Sequence, residues 1–187
     1  MNRFHYIAVV FGLFLVATQT TAQPNPACIA APEAECAGKD LVGKNYRDAN
    51  LAKGNFASAN LSKADLSGAN LSGAYLRGAK LTGADLSGAN LTGADLSAKR
   101  MHYIKHWQKN DPKDKVTPTD LSRANLTRAD LTGANLSDAR LVRSNLTGAN
   151  LTGTNLTNAN LADAILKNAI WTDGAKKCAE DSIGICK

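Results

Sequence analysis

From Ala69 to Ser97 the chain reads ANLSGAYLRGAKLTGADLSGANLTGADLS, and leucine returns at every fifth residue, from Leu71 to Leu96. An alanine stands two residues before each leucine. This period excludes the ordinary elements. In a straight strand, side chains five apart point to opposite faces. On an α-helix a step of five overshoots a full turn by about 140°, so the leucines would spread around the cylinder. Ser, Thr, Gly, Asn and Asp fill the intervening positions, and they are mediocre or poor helix formers. A repeat this strict predicts a solenoid. If the chain bends a quarter turn per repeat, each pentapeptide is one side of a square coil. Every leucine then faces the axis, and the alanine faces inward where space is tight. The other three positions meet water. Stacked coils would satisfy the backbone groups that a turn-rich chain leaves open.

The unit Ala64-Asp65-Leu66-Ser67-Gly68 recurs as Ala89-Asn90-Leu91-Thr92-Gly93 and many times more. This A(D/N)LXX motif resembles the pentapeptide-repeat family over roughly residues 39–172. The resemblance implies an all-β, right-handed quadrilateral β-helix, and the register of the repeat divides it into two repeat blocks separated by a long loop. The expected organisation is an N-terminal cap at 23–38, a first block at 39–96, a loop at 97–119, a second block at 120–172 and a C-terminal cap at 173–187. Aromatic centres Tyr46 and Phe56 belong to the first block; Lys39 and Lys44 replace the inner alanine at its start, and Trp171 replaces the last leucine. Twelve plus eleven centres make nearly six coils, on the order of 28 Å at ~4.8 Å per coil. The core is a thin leucine column.

The segment 97–119 keeps the five-residue frame, since Leu96 and Leu121 are twenty-five apart. As a coil it would place His106, Asp111, Lys99 and Lys109 inside, and burying unpaired polar groups is too costly. It reads as a loop leaving one corner and re-entering for the next side. Long loops of this kind tend to be functional or disordered.

Residues 1–22 read as a secretory signal peptide: a short start with Arg3, an apolar run from Ile7 to Ala17, then the small residues Thr21-Ala22. The run is too short to span a membrane. This predicts export to the periplasm or beyond. Four cysteines suit such a compartment. Four allow three pairings. A rod of the kind the resemblance implies holds its ends apart and favours Cys28–Cys36 and Cys178–Cys186, each stapling a cap. A metal site is the alternative, but it lacks close CxxC spacing and nearby histidines. The tail from Trp171 to Cys186 also resembles tails of exported bacterial members of the family.

No catalytic residue, cofactor or metal is expected. His102 and His106 have a spacing that could hold a metal on a helix, but Pro112 and the surrounding lysines favour a solvated loop. The carboxylates sit mostly at the Asn/Asp position of the repeat, where turn chemistry explains them.

What remains is surface. The chain is formally +6, and loss of Arg3 with the signal leaves +5. The loop holds six basic residues (Lys99, Arg100, Lys105, Lys109, Lys113, Lys115) and two acidic ones (Asp111, Asp114), a net +4. Counting every fourth repeat, the side through Leu61, Leu81, Leu121 and Leu141 also carries Lys63, Lys80, Arg123, Arg140 and Arg143, with Asp120 interrupting. With Tyr103 and Trp107 in the loop, this would suit an anionic partner; the alternative is scattered solubilising charge. Another side stacks Thr92, Thr132, Thr152 and Thr172 beside a row of glycines.

The reading is a non-catalytic, exported scaffold that binds a protein or an anionic envelope component, with no small-molecule substrate and an open oligomeric state. The best-known cytoplasmic branch of the family resembles duplex DNA and protects DNA gyrase from quinolones. That alternative is disfavoured here by the basic surface and the signal peptide. Direct binding of nucleic acid is favoured by charge and disfavoured by export.

Overall fold

The computed structural model describes Cys28, residues 30–101 and residues 115–187. The expected signal peptide and most of the loop, including Lys105, Trp107, Lys109 and both loop histidines, lie outside the described residues.

Parallel bridges join residues twenty apart, from Glu35–Asn55 to Asn150–Ile170, except across the loop, where the separation is forty. Four pentapeptides therefore make one coil. The repeat from Asp65 shows why the motif has its composition. Leu66 donates its N–H to the Asp85 carbonyl of the next coil at 2.7 Å, and Gly68 donates to Ser87 at 2.9 Å. Asn70 donates back to Ala49 of the previous coil at 2.9 Å. Ala69 closes the corner by donating to the Leu66 carbonyl at 3.0 Å. Only the Ser67 N–H would be left over, and the Asp65 carboxylate accepts it at 3.1 Å. The Asn/Asp position thus completes the backbone account. The second turn residue takes a left-handed φ, +67° at Gly68, which is the type II pattern and favours glycine.

The four sides can be named by a central leucine. The Leu76 side stacks Cys36, Phe56, Leu76, Leu96, Leu136 and Leu156; the Leu81 side stacks Leu41, Leu61, Leu81, Leu121, Leu141 and Leu161. The Leu86 and Leu91 sides follow, beginning at Tyr46 and Leu51. Leucines and inner alanines from the second coil to the fifth are almost wholly buried. Where Ser144 and Thr154 replace the alanine, their hydroxyls donate to the Leu141 and Leu131 carbonyls, both at 2.8 Å.

The register starts earlier than the expected cap boundary. Cys36 occupies a leucine place, fully buried, and Glu33 already donates its N–H to Ala52. At the other end the chain turns back, with antiparallel bridges Ile165–Ile183 and Ile170–Lys177. This reversal covers the last N–H groups of Leu166, Asn168 and Trp171 and ends the exposed ladder. Disulfides join Cys28 to Cys36 and Cys178 to Cys186.

The frame also crosses the loop. Lys80 bridges Asp120, and Asp120 bridges Arg140, so one continuous ladder runs through both blocks. The chain leaves at Ala98, forms β1 (Lys99–Met101) antiparallel to β2 (Lys115–Thr117), and returns at Thr119. Thr119 is fully buried at an alanine position. Its Oγ1 accepts the Gly78 N–H at 2.8 Å and lies 2.9 and 3.0 Å from the Ser97 and Leu76 carbonyls. The ladder bond from the Gly78 N–H to the Ser97 carbonyl is stretched to 3.3 Å where the chain departs, and the hydroxyl supplies a second, closer acceptor. Thr119→Val should therefore cost about 0.5–1.5 kcal/mol, the net worth of a hydrogen bond, because the Gly78 N–H keeps only its longer bond to Ser97, whereas Thr119→Ser should change little. Urea unfolding of the two variants checks this.

Candidate interaction surface

The described part of the basic side lies in register. On the Leu81 side the outward row before the leucines runs Asp40, Asn60, Lys80, Asp120, Arg140 and Asn160. The corner row after them holds Lys63, Arg123 and Arg143, with Gly83 between coils. Lys63, Lys80, Arg123, Arg140 and Arg143 are all exposed.

These cations occupy places where the repeat has a cheaper choice. Lys63, Arg123 and Arg143 hold φ of +59°, a region that costs an ordinary L-residue roughly 1–2 kcal/mol. Lys80 and Arg140 stand where Asn or Asp would accept a turn N–H, and neither side chain can accept. None of these side chains supplies the turn acceptor or the conformational freedom that the repeat otherwise has at its place.

Asp120 breaks the row. Burial opposes its ionisation, but hydrogen bonds from Ser122 and Thr82 and the charge of Arg140 outweigh that and hold its carboxyl below the ordinary aspartate range. It stays ionised and dampens the field beside Lys80. Arg143 faces Asp163 at 3.5 Å across two exposed side chains, a contact of small energetic weight.

The loop stem meets this side at its corner with the Leu76 side. The half-buried Lys99 donates its ammonium to Ser58 Oγ at 3.0 Å, and Arg100 pairs with Asp138. Gly78 lies beneath: a Cβ there would come within 2.9 Å of Lys99 Cβ. Lys99 and Arg100 thus act as struts that fix the root of the loop. The Arg100 and Asn158 hydrogen bonds hold the Asp138 carboxyl below its usual range. Any stabilisation from this pair is present above the ordinary aspartate pKa and is lost as pH falls through the lowered native value. Asp138→Asn should lower the melting temperature at pH 7, and the difference from wild type should vanish near pH 2.

The threonine side is regular. Thr92, Thr132 and Thr152 donate their hydroxyls to Asn90, Asp130 and Asn150 at 2.6–2.7 Å. The same pairing occurs on the Leu86 side, as Thr127–Asn125 and Thr147–Asn145, so it belongs to the repeat. Among the described residues no cluster of His, Cys, Asp and Glu could hold a metal, and no helix is long and apolar enough to cross a membrane.

The family described as pentapeptide repeats (8 copies) matches over residues 33–68, 59–97, 119–148 and 144–170. The chain is a pentapeptide-repeat protein. Membership implies the right-handed quadrilateral β-helix. A pentapeptide repeat protein of the Arabidopsis thaliana thylakoid lumen is 34% identical to this pentapeptide-repeat chain, with a TM-score of 0.52 over 64% of this chain and 69% of that one. HetL, a pentapeptide repeat protein involved in heterocyst differentiation regulation in Nostoc, is 35% identical over 77% of this chain and 64% of its own, at a TM-score of 0.35. QnrB1, a plasmid-mediated fluoroquinolone resistance protein, shares 22% identity over 74% and 73% of the two chains, at 0.47. No curated protein sequence matches.

Sequence reasoning grouped the basic residues of the Leu81 side correctly in space, because the spacing between Leu81 and Leu121 is a whole number of coils. It missed two features. Thr119 was readable as a hydroxyl at an alanine position beside the loop. Tyr75 was readable as an aromatic residue in a row of Asn and Asp.

Proposed function

We propose that this is a non-catalytic, exported pentapeptide-repeat protein that binds an anionic envelope component or protein through the Leu81 side and the adjoining loop. One observation carries the reading. Lys63, Lys80, Arg123, Arg140 and Arg143 are all exposed on one side of the coil, in rows that stack from coil to coil, and a surface of one dominant sign suits a partner of the other. The loop, with Lys105, Trp107 and Lys109, departs from the corner of that same side. Export is supported by the signal-like 1–22, by two disulfides and by a relative from a thylakoid lumen. A DNA-mimicking role calls for acidic rows and a cytoplasmic location; the basic row and the signal-like start weigh against it.

The loop can be removed cleanly. Residues 99–118 amount to twenty, one coil, so their deletion joins Ala98 to Thr119 as Gly78 joins Ala79. The variant should also carry Ala98→Gly to permit the left-handed corner. Intact and shortened proteins, and a Lys80→Asn/Arg140→Asn variant, are compared for retention on vesicles and glycans bearing phosphate at low and moderate salt. Salt-sensitive retention of the intact protein, reduced in both variants, supports the proposal. Equal retention by all three folded proteins would remove it.

A further inference from the structure

A second unusual place lies on the opposite edge of the Leu76 side, at its corner with the Leu91 side. The left-handed corner position there runs Glu33, Lys53, Gly73, Gly93, Gly133 and Gly153 through successive coils. Only the first two depart from glycine, with φ of +58° and +56°. Beside them the outward row of the Leu76 side runs Glu35, Asn55, Tyr75 and Asp95. Tyr75 replaces the Asn or Asp that would serve the Arg77 N–H. Its ring adds nothing to the core, since Leu76 fills that place, and the residue is 55% exposed.

These departures converge. Glu33, Glu35, Lys53, Asn55 and Tyr75 line one open groove of 330 Å³. Asn55 is oriented at both ends: its Nδ2 donates to Glu35 Oε2 at 3.0 Å, and its Oδ1 accepts the Ala57 N–H at 3.2 Å. The flank beyond the ring is open, because Gly93 has nothing within 4 Å of where a Cβ would stand.

We infer that the groove is a saccharide-binding site, with one pyranose ring lying against Tyr75. An exposed tyrosine ring beside fixed polar groups suits a ligand that is apolar on one face and polar at its rim. Asn55 and Glu35 stand one and two coil steps from the ring, about 4.8 and 9.6 Å away along the rod, a reach of one to two sugar units. Two carboxylates accept from hydroxyl or acetamido groups, and the Lys53 ammonium donates to ring substituents. The two carboxylates disfavour acidic sugars, so the site differs in ligand from the basic side and does not depend on the reading given for it. The Lys53 charge lining the same groove disfavours a simple cation.

The test is a titration of the oxidised protein with the tetramers of N-acetylglucosamine and of glucose, followed by Tyr75 ring resonances and by calorimetry. At least one should bind saturably at millimolar affinity or better. Tyr75→Asn, which restores the residue type of neighbouring coils, should melt as wild type and bind at least tenfold more weakly. Glu35→Gln should bind more weakly as well. Absence of saturation with both sugars, or undiminished binding by Tyr75→Asn, would overturn the inference. A tri-arginine peptide provides the remaining arm. If it binds, is lost in Glu33→Gln/Glu35→Gln, and neither sugar binds, the groove is a cation site and the inference fails.

Discussion

Leu126→Ala should destabilise the protein by about 3–5 kcal/mol, the upper part of the range for buried leucine truncation. Leu126 is fully buried in mid-rod. The cost depends on how far the surroundings can collapse into the space left behind, and here they have little freedom. The core is a column in which each side contributes one leucine per coil. The backbone around it is held by hydrogen bonds running to the coil on either side, such as Leu126 to Asn145 at 2.7 Å and Asn125 to Ala84 at 2.9 Å. Moving one wall inward would break contacts with both neighbours. Leu161→Ala offers the contrast. Leu161 is only half-buried, close to the C-terminal end, and its truncation should cost about 1 kcal/mol. Urea unfolding of both variants gives the comparison. Equal effects would mean that the leucine column is not the core that resists collapse. A solenoid is coupled chiefly between nearest neighbours, so the Leu126 variant should also show loss of protection spreading outward from the adjacent coils.

The second large effect concerns the C-terminal staple. Removing Cys178–Cys186 by the double substitution to serine should cost about 2.5 kcal/mol in the chain-entropy estimate for so short a loop. The loss should be spatially specific. Asn168 donates to the Cys178 carbonyl, Cys178 to Ala169, and Trp171 to Lys176. A loosened cap therefore leaves the last turns of the Leu86 and Leu91 sides without their outer partners. Amide exchange should accelerate at Leu166, Asn168 and Trp171 while Leu86 and Leu91 keep their protection. A reductant should lower the melting temperature of the wild type more than that of the variant, which retains only Cys28–Cys36. Uniform acceleration along the rod would show instead that the cap stabilises the whole molecule as one unit.

Much of this architecture was legible in the sequence because the repeat writes the inward positions directly. A leucine every five residues, an alanine two before it and Asn or Asp one before it are each demanded by a specific inward space or backbone donor. The side-by-side grouping of Lys80, Asp120 and Arg140 followed from counting. Cys36 could have been counted too, being five residues before Leu41, but a cysteine near the start of a predicted rod drew attention as a staple rather than as a core residue; it is both. The role of Thr119 was harder to read, since its hydroxyl matters only because the chain departs at Ala98 and leaves the Gly78 N–H with a stretched bond to Ser97. Lys99 and Arg100 counted in the sequence as part of a basic loop, whereas their charged ends engage Ser58 and Asp138. The composition of a segment states its charge, and only the path of the backbone states where that charge is directed. The groove at Tyr75 was hidden for a related reason. Its residues are spread from 33 to 75 and meet because coils stack.

The loop's return after one coil's length of chain has a consequence for how such a molecule can change. Insertions and deletions act here as shifts of phase. Adding or removing twenty residues preserves the phase, and every outward residue downstream keeps its compass direction. Removing five would be nearly invisible to the core, since each leucine would still point to the axis. Yet everything beyond the cut would rotate by a quarter turn. Arg123, Arg140 and Arg143 would no longer align with Lys63 and Lys80, although composition, charge and fold would be almost unchanged.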